Sequence, residues 1–369
     1  LERVKAAVAA EDFGAAAAGW ADYFRARTSP TCHFDRAKWP EYVRREFPAV
    51  AEAILGAAER VASGDLSHGP ARLVVEGEVP GGRINWLHNP TKDTNYVSLV
   101  GSQWLMNPLG RAYLLTGKER FAETFAWLFE SWFDSQEAIC RFQGGLGFDP
   151  IYRAYYPGIQ SRILVDNYYA TARSGALSPA VHVKVMRQLL ANARFLERQE
   201  RRYRKGNQQV AAVLGLGVIG LVFPEFREAG AWVERAETIM AAHLEQDFFA
   251  DGGHRELCTQ YHKTCLRDIS YVALSSEHNG RPSPLVRGES GDALQRAIDW
   301  LARLVMPTGE TPPLHSAVFS TDHAVYTLRS AIHFGRADLA YLAARFWDRG
   351  GAPNQKAPLA QAVYLLSSP

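Results

Sequence analysis

An all-α protein built of antiparallel helical hairpins is predicted by three observations. Apolar residues recur at helical spacing in segment after segment of the 369-residue chain, whereas strand-like alternation is nearly confined to residues 71–79. The connections are short and turn-rich, as in Leu115-Thr116-Gly117-Lys118 and Phe223-Pro224-Glu225, so consecutive helices are expected side by side and antiparallel. No fixed-length repeat is present, which argues against a solenoid with a consensus unit.

In chain order, helices are predicted over residues 11–27, 40–62, 96–117, 119–136, 159–174, 178–200, 207–222, 225–249, 259–277, 291–305 and 324–346. Their ends carry the expected punctuation: Pro40 lies just inside a start, Gly117 and Gly175 just past ends, and Pro224 stops an apolar run. That run, residues 210–223, is the best candidate for a membrane span and falls short of the ~18 to 20 apolar residues one needs. Three longer polar and Gly/Pro-rich stretches, residues 63–93, 143–157 and 308–322, hold aromatics and histidines and read as site-building loops.

Composition bounds the function. With 47% hydrophobic residues the chain can bury a large core. Its 41 Lys+Arg against 39 Asp+Glu leave a formal charge of only +2, so no global field draws it onto nucleic acid or an anionic membrane. Any anion binding must be local. Cys32, Cys140, Cys258 and Cys265 show neither C-x-x-C spacing nor a dense framework, so they read as buried free thiols, with no metal and no cofactor expected in this domain. The chain begins at Leu1 with no leader pattern, as a processed or trimmed chain does.

The chemistry-bearing residues concentrate in two segments. Gly206-Asn207-Gln208-Gln209 opens an apolar helix, and Asp251-Gly252-Gly253-His254 leads into Gln260-Tyr261-His262. They place an amide, a phenol and imidazoles at the starts of two helices, where packing alone does not call for them. Asn207 can hydrogen-bond a substrate carboxylate with help from the helix N-terminus, or can simply cap its helix. Tyr261 can abstract and return protons or sit in the core, and a phenol titrating near ~10 needs cationic neighbours or substrate contacts to ionise. His262 points about 100° away from Tyr261 on the helix and reads as its support. His254 is open between ligand contact and turn packing. Trp86, His88 and Asn89 form either a sugar platform or a loop plug. Gln103 and Trp104, with Tyr152, Tyr155 and Tyr156 in a loop, offer further polar and aromatic faces, although most such aromatics are core. Arg198, Arg201, Arg202, Arg204 and Lys205 could edge a cleft or form a solvated helix face.

These segments, together with Ile84-Asn85-Trp86-Leu87-His88-Asn89-Pro90, Leu109-Gly110-Arg111-Ala112-Tyr113-Leu114-Leu115-Thr116-Gly117 and Phe223-Pro224-Glu225-Phe226, resemble in order and spacing the amino-terminal domain of the heparinase II/III-like polysaccharide lyases. The resemblance runs from about residue 63 to about residue 346 and implies an incomplete α/α toroid. It also implies a carboxy-terminal β-sandwich domain, expected to lie outside this chain. The domain reading is residues 1–62 as an amino-terminal helical segment, 63–350 as the toroid and 351–369 as a tail.

The resemblance implies β-elimination on a uronic-acid glycan, heparin/heparan sulfate-like or alginate-like, with Asn207 as carboxylate neutraliser and Tyr261 as proton-transfer residue. Arg162 matches an arginine of the family's inner helix, whose fork suits carboxylate or sulfate, although a surface ion pair is an equal reading. Some relatives carry His where Gln208 stands, which leaves no general base beside Asn207. His315 occupies the place of a Gly/Asp-rich turn and is a further candidate. A periplasmic or secreted location is implied, with an acidic polysaccharide as partner, no nucleic acid, no membrane span and no stated oligomeric state. Two rivals stand: a glycoside hydrolase, which needs two flanking carboxylates, and a non-catalytic glycan-binding protein.

Overall fold

The structure is a computed structural model that describes residues 1–46, 48–68, 71–86, 88, 103–135, 150–199, 206–320, 334–339 and 341–342. Its helices are α1 (Glu2–Ala9), α2 (Phe13–Ala26), α3 (Trp39–Glu46), α4 (Pro48–Ala62), α5 (Leu109–Thr116), α6 (Glu119–Asp134), α7 (Pro150–Thr171), α8 (Pro179–Gln199), α9 (Asn207–Val222), α10 (Ala229–Gln246), α11 (Thr259–His278) and α12 (Gly288–Arg303). The chain divides into two compact units, one of Leu1–Pro30 with Ile54–Arg198, the other of Thr31–Ala53 with Gln199–Pro369.

The first unit is held by aromatic helix faces. α6 buries Phe121, Phe125, Leu128, Phe129 and Trp132, each fully buried phenylalanine contributing about 1.5 to 3 kcal/mol of transfer free energy. α5 closes on Gly117 at φ 66°, a left-handed stop that glycine adopts without penalty. Gly110 lets α5 touch α7: its N–H donates to Asn167 Oδ1 at 2.7 Å, and a Cβ there would lie 2.9 Å from the Asn167 backbone. Asp12 starts α2 by accepting the Ala15 N–H at 2.9 Å.

Several boundaries differ from the sequence reading. Residues 40–62 form two helices, because Pro48 opens α4 and cannot donate back into α3. The predicted helix over 96–117 is, in its described part, a 3-10 turn at Trp104–Met106, then Pro108 as cap and α5. α7 begins at Pro150 and carries Pro157 in its interior, so Tyr152, Tyr155 and Tyr156 lie on a helix and not in a loop. The alternation near residues 71–79 yields two short antiparallel ladders, Ser67–His68 with Ala71–Arg72 and Val75–Glu76 with Arg83–Ile84. α1 was not predicted. The helix expected at 324–346 falls largely outside the described residues.

In the second unit α9 is apolar all round and buried from Val210 to Val222, as befits a helix covered on several sides. It packs against α10 and α11. Gly217 and Gly220 permit that approach: a Cβ at Gly217 would lie 3.0 Å from Ala236 Cβ, and one at Gly220 would lie 2.5 Å from the Ala229 carbonyl. Buried Glu237 ties α10 to α11 and the following turn, accepting from Ser276 Oγ at 3.1 Å and Ser283 Oγ at 2.9 Å. Among the described residues no helix is long and apolar enough to cross a membrane.

Candidate functional site

The start of α9 and the hairpin before α11 are built against each other within the second unit. Gly206 caps α9 at φ 105° and ψ −165°, a backbone region that is essentially glycine-only. Asn207 is therefore the first helical residue and not the cap. Its backbone N–H donates to Glu256 Oε1 at 2.8 Å, so the Glu256 carboxylate meets the positive end of α9. A Cβ at Gly206 would run into that carboxylate. Gly206→Ala is expected to cost about 1 to 3 kcal/mol from backbone strain and to lower the denaturant midpoint correspondingly; an unchanged midpoint would refute the requirement. The Asn207 side chain, half-buried, takes no part in capping. Gln208 beside it is half-buried, with its Oε1 accepting no hydrogen bond among the described residues.

The hairpin is tight because its glycines allow it. Phe249 N–H donates to Gly253 O at 2.8 Å and Arg255 N–H to Asp247 O at 2.8 Å. Asp251 Oδ1 accepts the Gly253 N–H at 2.9 Å. Gly252, at φ 93°, lies so close to the Arg296 backbone of α12 that a side chain has no room.

His254 is 1% exposed beneath this hairpin. Its Nε2 lies 3.2 Å from His243 Nε2 and its Nδ1 accepts the Glu256 N–H at 3.3 Å. Burial, and next the neighbouring His243, push its pKa down to about 4. His262 is fully buried; its Nε2–H donates to Ala297 O at 2.9 Å, its ring lies 4.7 Å from Trp300, and burial pushes its pKa down to about 3. Both imidazoles are thus neutral at neutral pH and buried behind the hairpin. Tyr261, on the first turn of α11, is half-buried. Two residues before it, Thr259 Oγ1 donates to Pro312 O at 2.9 Å. That bond anchors the loop on which His315 is exposed, at φ 57°, with Nδ1 3.0 Å from Ser316 Oγ.

A second group lies in the first unit. Arg162 is 4% exposed, its Nη1 3.3 Å from Asp166 Oδ2 and its guanidinium 5.5 Å from the Trp104 ring centre. This is a buried ion pair, not a surface one. Its Nη2 has no partner among the described residues. Gln103, 2% exposed and at φ 57°, likewise has both amide atoms unpartnered among them. Trp86 is 6% exposed, with Nε1 donating to Ser131 Oγ at 2.9 Å. His88 is half-buried. Asn89, Arg201, Arg202, Arg204, Lys205 and Cys140 lie outside the described residues, as do the side chains of Tyr152 and Tyr155.

Sequence reasoning did not place Glu256 against the start of α9, passed over His243 and Asp247, and read Cys265 only as a buried free thiol. Its one available signal was Gly206, whose need to approach another group closely is not written in its own segment.

Helical hairpins, with an amide at the start of α9 and a phenol on the first turn of α11, fit a helical scaffold of the α/α-toroid class. The comparisons with known proteins agree. The chain belongs to the heparinase II/III family: residues 1–334 match the model described as the Heparinase II/III N-terminus. A heparin-sulfate lyase of Pedobacter heparinus is 23% identical over 281 residues, which are 75% of this chain and 40% of that protein. Among solved structures, a heparinase III superposes with a TM-score of 0.65 at 20% identity, covering 94% of this chain and 54% of its own. An alginate lyase from Bacteroides ovatus superposes with a TM-score of 0.60 at 14% identity, covering 92% of this chain and 100% of its own. The chain therefore spans about half or less of the heparin-active relatives, and likeness at these identities establishes the fold alone.

Proposed function

We propose that this chain carries the toroid-domain chemistry of a polysaccharide lyase acting on a uronic-acid glycan, heparin/heparan sulfate-like or alginate-like, outside the cytoplasm. The observation that carries the reading is the division of labour at α9: Glu256 caps the Asn207 backbone, which leaves the Asn207 amide available for a substrate carboxylate. The helix terminus is already engaged by Glu256, so neutralisation falls to the side-chain amide and less to the helix field expected from the sequence. Donors aimed at developing charge are the effective device for an enolate-like transition state.

Tyr261, as phenolate, takes the proton from C5. The electron pair of that C–H bond forms the C4–C5 double bond, the C4–O bond breaks, and the phenol returns the proton to the departing oxygen. Because His254 and His262 are neutral, they supply no cation beside Tyr261, and activation of the phenol falls to contact with the substrate. The hydrolase alternative loses support because Glu256, one of its two possible acids, is committed to the α9 terminus, whereas Asp251 stands exposed at the hairpin tip.

A panel of heparan sulfate, chondroitin sulfate, alginate and dextran tests the reading. Uronate polymers are expected to give products with new ultraviolet absorbance and no added water by mass. Products heavier by one water and without absorbance would establish hydrolysis instead. Binding of the uronate polymers is further expected to weaken as salt rises, through the basic run at residues 198–205. Salt-independent binding, or equal affinity for dextran, would remove the acidic-glycan assignment.

A further inference from the structure

We infer that His243, His254 and Cys265 form a binding site for one transition-metal ion of the zinc class, beneath the hairpin that carries Glu256. The sequence reading expected no metal here, since the three residues follow no spacing motif and come from different elements: the last turn of α10, the hairpin and α11. Packing brings their ligand atoms within 4.8 Å of one another. The His243 and His254 Nε2 atoms are 3.2 Å apart, and Cys265 Sγ is 3.7 Å from His254 Nε2. A tetrahedral zinc ion, with bonds of about 2.0 Å to nitrogen and about 2.3 Å to sulfur, spaces two nitrogens by about 3.3 Å and nitrogen from sulfur by about 3.5 Å. These pairs therefore already stand near the edges of such a tetrahedron.

The surroundings fit the ion as well as the distances do. Asp247 Oδ2 lies 2.8 Å from His243 Nδ1, the carboxylate-on-imidazole arrangement that orients histidine ligands and turns the other ring nitrogen to the metal. Charge balances within the cluster. A dication, the Cys265 thiolate formed as its proton leaves to solvent, and the Asp247 carboxylate sum to zero, which a site this deeply buried requires. His243, His254 and Cys265 are 2%, 1% and 0% exposed. Three protein donors leave a fourth position for a water or other small ligand. One contact gives way on binding: a ring bound through Nε2 carries its proton on Nδ1, so the Glu256 N–H at 3.3 Å from His254 Nδ1 must find another acceptor.

The ion would staple α10, the hairpin and α11 together behind the candidate site, two residues from the carboxylate that caps Asn207. This inference stands on the cluster alone and does not depend on lyase activity.

The test is metal analysis of the full chain purified without a polyhistidine tag. About one equivalent of transition metal per chain is expected, together with a Tm that falls on chelation and returns with added zinc. Cobalt(II) added to the chelated protein should give a thiolate charge-transfer band that Cys265→Ser lacks. Should that variant fail to fold, the cobalt spectrum of the parent decides by itself. Metal no higher than background in the parent, with no Tm response to zinc and no thiolate–cobalt band, overturns the inference.

Discussion

Asn207→Ala is expected to lower kcat on a uronate glycan about 10²- to 10³-fold, the usual loss when one donor to a developing oxyanion is removed. Thermal stability should barely move. The reason lies in the local structure: α9 is capped by the Gly206 backbone and by Glu256 on the Asn207 N–H, and alanine retains that N–H. A variant with activity within a few fold of the parent would show that the amide stabilises nothing in the transition state. A large drop in Tm would instead assign Asn207 to packing. The two readouts together separate chemistry from support, which activity alone cannot do.

Tyr261→Phe should reduce turnover by about 10²- to 10⁴-fold, the range that positioned proton transfer contributes, while substrate affinity is retained. Phenylalanine keeps the half-buried ring on the first turn of α11, and His262 continues to hold that turn to Ala297 of α12. Only the phenol oxygen is lost. Weakened binding with unchanged kcat would mark Tyr261 as a residue that holds the ground state. Because the neighbouring imidazoles are neutral above about pH 4 and about pH 3, their own titration should leave no inflection in the activity profile between pH 5 and 8. An inflection there that disappears in His254→Gln would contradict their placement.

Periodicity made the helices legible. Wherever one face is apolar at 3.6-residue spacing, burial of that face stabilises a helix whatever it packs against, and α6, α8, α9 and α11 lie close to the predicted spans. Prolines were legible only in part. Pro224 was read as a stop, but Pro48 and Pro108 divide helices that periodicity alone had joined, since a missing N–H breaks the ladder without disturbing the apolar pattern. Pro157 did the reverse, sitting inside α7 where local rules had placed a loop.

The site divides in the same way. Sequence alone determined which polar groups open α9 and lie near the start of α11, because motif and helix start are both local properties. Tertiary structure alone decided their duties. It moved the capping role from Asn207 to Gly206 and Glu256, buried His254 and His262, and placed Arg162 in a buried ion pair with Asp166 where the sequence had left a surface pair as one of two readings. It also gathered His243, His254 and Cys265 from a helix end, a hairpin and a second helix into one cluster. Residues 11 apart on different elements share no backbone period, so only the packing of α10 and α11 around the glycine hairpin could bring their side chains to one point.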